Sequence, residues 1–241
     1  MFCEQSWYEK LRLKFLDLYS PMVEVVGFSA KKDEKHQVTL LRALILGQAG
    51  RYGHKGVTLW AKKVFHAKKP PHPDLRGVVY HLAIRYGGDK EFKMLLKRYK
   101  IEEMAEERNR LMRALGQTRS KVNIKKLLEL QSSGQVRLQD GPTFMASLWS
   151  NASARDLAWS HLKKNWKHFE ATYGQGGHTL DRIVSMAKVF NTRRDFLDFK
   201  KFFAKNGARG AERAVKQVLE QVEANIAWIK RDAVKVGKYL G

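Results

Sequence analysis

Apolar side chains recur at steps of three and four residues through most of this chain, and that periodicity constrains the fold more than any other feature. Leu40, Leu41, Leu44 and Ile45 form one such set; Val57, Leu59, Trp60, Val64 and Phe65 a second; Leu75, Val78, Val79, Leu82 and Ile84 a third; Phe92, Leu95, Leu96 and Tyr99 a fourth. Each marks one face of an amphipathic helix, and no competing run alternates with the period of two that a half-buried strand shows. The chain has 5 prolines in 241 residues, with Pro70, Pro71 and Pro73 clustered and Pro21 and Pro142 apart, so long intervals stay free for helix. The breaks are short: Gly47/Gly50/Gly53, Gly87-Gly88-Asp89, Ser132-Ser133-Gly134, Gly174 to Gly177 and Asn206-Gly207. Short breaks imply antiparallel neighbours.

The spacing predicts helices near 74–86 and 89–100, 103–115 and 121–131, 141–150 and 153–172, and 178–190 and 193–205. These pair into four hairpins of roughly 28 to 37 residues, the period of a helical solenoid whose units bury their apolar faces by stacking. The expected fold is an all-α superhelix, 1–241 forming a single domain with a concave face for partners. A last helix, from Ala211 to about Lys238, would run roughly 40 Å. Its Val215, Leu219, Val222, Ile226, Ile229, Ala233, Val236 and Leu240 follow alternating steps of four and three. Two readings stay open: a coiled-coil homodimer, or a capping helix across the end of the solenoid, which Ala233 and the short seam favour.

The net charge of +22 is localised. Residues 51–100 carry 13 basic against 3 acidic side chains and residues 161–241 carry 17 against 8, whereas the rest is nearly balanced. Such surfaces attract nucleic acid, anionic membrane or acidic polypeptide. The basic pairs Lys62-Lys63, Lys97-Arg98, Lys163-Lys164 and Lys200-Lys201 are interleaved with Trp60, Tyr99, Trp159, Trp166, Phe202 and Phe203, the residue types of a single-strand stacking platform. Those aromatics fall on the apolar helix faces, as core residues would. No stretch of about 18 apolar residues is present to span a bilayer. A single cysteine, Cys3, cannot form an internal disulfide, and the segment from Met1 to Arg12 does not read as a secretory signal, so a cytoplasmic location is expected.

Catalytic patterns are missing. There is no His-Glu-x-x-His zinc pair and no Gly-x-Ser-x-Gly elbow. His161 and His168 share a predicted helix without an evident third ligand. Gly174-Gln175-Gly176-Gly177-His178-Thr179 lacks the Lys and follows a helix, so it reads as a connector rather than a phosphate loop. Asn151-Ala152-Ser153 matches a glycosylation acceptor but reads as a helix start with Ser153 as cap.

Particular blocks resemble a known family. Gly50-Arg51-Tyr52-Gly53-His54, the run from Pro73 to Tyr80, Tyr86-Gly87-Gly88, Arg113-Ala114-Leu115-Gly116 and the run from Ser132 to Asp140 look like the C-terminal helical domain of puromycin-sensitive-type (gluzincin) zinc aminopeptidases, the group that includes the endoplasmic-reticulum aminopeptidases. Leu157-Ala158-Trp159, Lys164-Asn165-Trp166, Phe190-Asn191-Thr192, the block from Phe202 to Lys205 and the block from Ala224 to Ile229 follow in that family's order. The similarity runs from about Leu16 to Leu240, and none of its blocks is catalytic.

The resemblance implies HEAT-like helix hairpins and an incomplete C-terminal domain, either from a truncated gene model or as a separate product. It implies no cofactor in this chain, with zinc held by a catalytic domain that is absent here and that would pair with it in cis or in trans. The implied function is to form the wall and lid of a peptide chamber, supporting peptide binding and domain closure without catalysis. By resemblance, Arg182 in Asp181-Arg182-Ile183-Val184 and Arg137 are the candidate peptide-binding residues, each with an alternative role in an ion pair to Asp140 or Asp181. The competing function is a free-standing basic helical-repeat scaffold that binds nucleic acid or an acidic protein.

Overall fold

The computed structural model describes residues 5–31, 33–175 and 178–241; Cys3, Gly176 and Gly177, which entered the expectations above, lie outside them. The described residues form thirteen α-helices and no strand. They are α1 (Tyr8–Val26), α2 (His36–Arg51), α3 (Lys55–Phe65), α4 (Pro73–Tyr86), α5 (Asp89–Ile101), α6 (Ala105–Leu115), α7 (Lys121–Ser132), α8 (Gly141–Trp149), α9 (Arg155–Lys164), α10 (Trp166–Tyr173), α11 (Thr179–Ser185), α12 (Arg193–Asn206) and α13 (Glu212–Leu240). The all-α expectation is met. Two predicted helices are each divided. The expected helix 153–172 breaks at Asn165, whose side-chain amide donates to the His161 carbonyl at 2.9 Å and competes with the helical ladder. The expected helix 178–190 ends at Ser185 and continues as a tighter 3-10 turn, Met186–Val189.

The chain divides into two compact units, residues 9–123 and residues 124–241 together with 5–8. In the first, α4 packs on α2, α3, α5 and α6. Neighbours two apart in sequence, α2 to α4 to α6, thus pack on one another. Gly50 permits the closest approach: a Cβ there would overlap the Leu82 side chain, so only glycine lets α4 press onto α2. Tyr86 then donates its hydroxyl to the Gly50 carbonyl at 2.9 Å. Two buried carboxylate sites hold the ends of this unit. Arg42, only 1% exposed, donates to Glu34 at 2.5 and 2.6 Å and to the Val26 carbonyl at 2.8 Å. Glu107 gathers Arg76, Arg98, Arg110 and the Tyr80 hydroxyl.

Aromatic side chains fill the second unit. Trp159 sits among Phe199 at 5.6 Å, Phe190 at 5.9 Å and Phe202 at 5.4 Å, while Trp166 meets Phe203 edge-on at 5.0 Å. Both indoles, with Phe196 and Phe203, are buried, so they are core residues and present no face on which a base could stack. The long α13 caps the unit, packing on α11, α12 and the 3-10 turn. Its most buried side chains are Ala214, Val218, Val222, Asn225 and Ala233, a stripe that coincides with the expected seam at Val222 and Ala233 and lies one position before it at 214, 218 and 225. Asn225 explains the shift: its amide donates to the Lys188 carbonyl at 2.9 Å and the Phe190 carbonyl at 2.8 Å, which satisfies the end of the 3-10 turn.

Candidate functional site

In the second unit a recess of about 550 Å³ opens where α8, α10 and α11 converge. Gln139 and Pro142 form one side, Thr172 and Tyr173 another, and Thr179 and Arg182 the third. Local sequence chemistry explains the junction. Pro142 lies in the first turn of α8, where its missing N–H costs no hydrogen bond. Gly141 abuts Tyr173 so closely that any Cβ would overlap the phenol oxygen. On α11, Leu180, Ile183 and Val184 face the core, which leaves Arg182 exposed on the opposite side with Thr179 one turn earlier. Burial pushes the Tyr173 hydroxyl up, so it is neutral and able to donate at ordinary pH.

Arg182 makes no ion pair with Asp181 or Asp140 among the described residues; Asp181 is instead 3.2 Å from the His178 ring. Arg182 lines this recess and a second, more open one that includes Ala146, Asp181 and Ser185. Arg137 is exposed and does not line the recess, although the next two residues, Leu138 and Gln139, do. Its carbonyl accepts from the Asp140 and Gly141 amides and thereby fixes the 3-10 turn that leads into α8. The structure therefore brings one of the two candidate arginines to a cavity and gives the other's backbone a structural task. Tyr173, Thr172 and Gln139 were not singled out from sequence; their only signals were the Gly174 break and the Gly141-Pro142 helix start.

The remaining chemistry is structural. His161 Nε2 lies 2.8 Å from Ser132 Oγ, a distance that suits a nucleophile and its base. The tautomer is wrong for that role. Asn165 Nδ2 donates to the His161 carbonyl and also faces His161 Nδ1 at 3.3 Å, so the ring proton belongs on Nε2 and points at Ser132 and Gln131. Asn151 is buried, and its side chain accepts from the Ser153 amide at 3.1 Å. This turn replaces the expected Ser153 cap, since Ala154 is the residue that precedes α9. No group of three or more His, Cys, Asp or Glu side chains that could hold a metal occurs among the described residues. No helix is long and apolar enough to cross a membrane among them either.

Comparison with known proteins gives the frame for these features. The chain is 27% identical over 241 residues to glutamyl aminopeptidase of Bos taurus, a match that covers 96% of this chain and 25% of that protein. It is 26% identical to the Homo sapiens glutamyl aminopeptidase, over 95% of this chain and 24% of that protein. With aminopeptidase N of Mus musculus it shares 28% identity over 70% of this chain and 18% of that protein. The chain thus spans about a quarter of the length of the glutamyl aminopeptidases it matches. The ERAP1-like C-terminal domain model matches residues 1–224, which runs through both units and includes Arg137 and Arg182, and the chain belongs to that family.

Proposed function

We propose that this chain is the non-catalytic C-terminal part of a zinc aminopeptidase, where it forms a wall of the peptide chamber and helps to close it. The observation that carries the reading is an arginine of a matched aminopeptidase domain, Arg182, standing over a recess without an ion pair among the described residues. A guanidinium offers a planar fork to a carboxylate, so a peptide with an acidic side chain or a free C-terminus suits it. Thr179 adds a hydroxyl one turn before it, whereas the Tyr173 hydroxyl is engaged by Gln131. Arg137 would act at the rim, on peptide extending past the 3-10 turn.

The residues present do not fit zinc: the chain has no His-Glu-x-x-His, and the described residues offer no ligand cluster. The metal and the bond-making step belong, in this reading, to a catalytic domain outside this chain, joined to it in cis or in trans. The contribution of a wall is to bind, orient and exclude water as the domains close. We read 1–241 as one HEAT-like superhelical domain, a reading supported by the α2, α4, α6 succession and by a family match that continues through both units. The single cysteine suits a cytoplasmic, reducing compartment.

The test is peptide binding followed by fluorescence anisotropy, with the 241-residue chain and a labelled acidic peptide. Arg182→Ala is expected to weaken binding by about tenfold, the worth of one charge-assisted contact, and Arg137→Ala to weaken it less. Binding unchanged in Arg182→Ala removes the site. Release of amino acids by the chain with added zinc overturns the non-catalytic assignment.

A further inference from the structure

The first unit contains a recess whose chemistry the wall reading does not use. It lies between α4 and α6, holds about 470 Å³, and is lined by Gly77 and His81 from one helix and Glu106, Asn109, Arg110 and Arg113 from the other. Ligand cavities begin at about 300 Å³, so a small organic molecule fits. The α6 residues are spaced by three, one and three, which sets all of them on one face. Gly77 contributes open space, since a Cβ there would meet nothing within 4 Å.

Two guanidiniums, Arg110 and Arg113, and one carboxylate, Glu106, line the recess, and a further cluster lies behind Arg110. Arg76, Arg98 and Arg110 share the single carboxylate of Glu107. Arg113 is exposed and has no ion-pair partner among the described residues, and Arg85 keeps a buried Nε without a hydrogen-bond acceptor. Glu106, exposed at the rim, is the one lining carboxylate. His81 reports the same field: burial first, then Arg85 and Arg51, lower its pKa to about 4. A neutral imidazole from α4 therefore shares the recess with one row of α6 side chains: Glu106, then Arg110, already paired to Glu107, then the unpaired Arg113.

We propose that the α4/α6 recess binds a free α-amino acid, its carboxylate held by Arg113 and the outward N–H groups of Arg110 and its ammonium by Glu106. A carboxylate matches the guanidinium fork. Phosphate brings more charge toward Glu106 and supplies no cation to meet it. The amino acid is also the product class of the aminopeptidase reading, and the biological link to product sensing rests on that reading; the recognition chemistry does not. The site is separate from the Arg182 recess, so failure of either leaves the other standing.

The experiment follows the His81 ring by NMR in the 241-residue chain, its signal assigned with His81→Gln, during titration with L-leucine, N-acetyl-L-leucine, L-leucinamide and phosphate. Leucine is expected to give a saturable shift and to raise the His81 pKa from about 4, because a carboxylate overhead favours the charged ring. N-acetyl-leucine should bind more weakly, and leucinamide and phosphate should fail. Arg113→Gln is expected to weaken leucine about tenfold; Gly77→Leu should fill the recess and abolish binding, and Lys164→Gln, a surface lysine of the other unit, should change nothing. Equal binding of phosphate or leucinamide overturns the assignment, as does equal binding of N-acetyl-leucine, an unchanged Arg113→Gln, or an equal loss in Lys164→Gln.

Discussion

The two units use opposite materials to fix their helices. Residues 9–123 bury charge, with Arg42 on Glu34, three arginines on Glu107, and Glu91 between His66 at 2.8 Å and the Gly88 amide. The unit ending in α13 buries rings, with Trp149, Trp159, Trp166, Phe190 and Phe199 in mutual contact or one ring apart. Buried ion pairs fix geometry but stabilise little relative to apolar packing, because desolvation offsets the attraction. Aromatic packing stabilises through buried area and ring geometry, with no charge on the rings to titrate. The first unit is therefore the more sensitive to solution conditions, while the second keeps one charged contact at its rings, Asp198 with Lys163 and the Trp159 indole.

The largest expected effect tests the ring-packed unit. Trp149→Ala should cost about 4 kcal/mol in urea unfolding, as expected for a large buried ring, with little change between low and high salt, because its neighbours are the Trp159 and Phe190 rings. Glu107→Gln should cost about 3 kcal/mol because it leaves three guanidiniums around a neutral amide. That cost should shrink at high salt, where the repulsion is screened. Equal salt dependence in the two variants would break the comparison.

Asn225→Ala comes next, at about 1–2 kcal/mol for buried acceptors left without their donor. It tests the exception, a polar clamp inside the aromatic unit, and protease sensitivity of α13 is the direct readout. The same residue shows where sequence reading stops. Helix existence was legible from Leu40 onward because the period of 3.6 is local, whereas α1, with Pro21 inside it, was not read. The register of α13 was not, since a hydrophobicity ranking selects Val215, Leu219 and Ile226, whereas close packing selects Ala214, Val218 and an asparagine that meets carbonyls 35 and 37 residues earlier. The break at Asn165 was hidden for a similar reason: only the side-chain bond to His161 distinguishes it from any helical asparagine. Arg182 was legible through the family blocks, but its recess was not, because the Gly141–Tyr173 approach joins residues far apart in sequence.

Acid tests the carboxylates of the first unit next. Arg42 holds Glu34 down to about 2, and although burial opposes it, the Gly88 amide and His66 hold Glu91 near the same value. Both carboxylates lie below their ordinary 4.5, so their contribution is full above that pH and is lost as pH falls toward 2. Circular dichroism during acid titration should show the first unit melting in that window, and Glu34→Gln should flatten the pH dependence.

Between pH 7 and 5 the comparison narrows to two imidazoles, and here the units behave alike. His81 in the first unit is lowered to about 4 by burial, Arg85 and Arg51; His161 in the second is lowered by burial, then Lys164 and His168. A folded-state pKa below the ordinary 6.5 means that the unfolded chain takes up the proton first. Stability from each ring is therefore full above about 6.5 and declines as pH falls. The carboxylates above do not titrate in this interval, so the histidines can be read alone. The urea midpoint should fall modestly from pH 7 to pH 5, and His81→Gln should remove the larger share, because two guanidiniums oppose its proton while one lysine and one histidine oppose that of His161. If His161→Gln removes the larger share instead, the cationic field that separates the first unit from the second does not reach its buried ring.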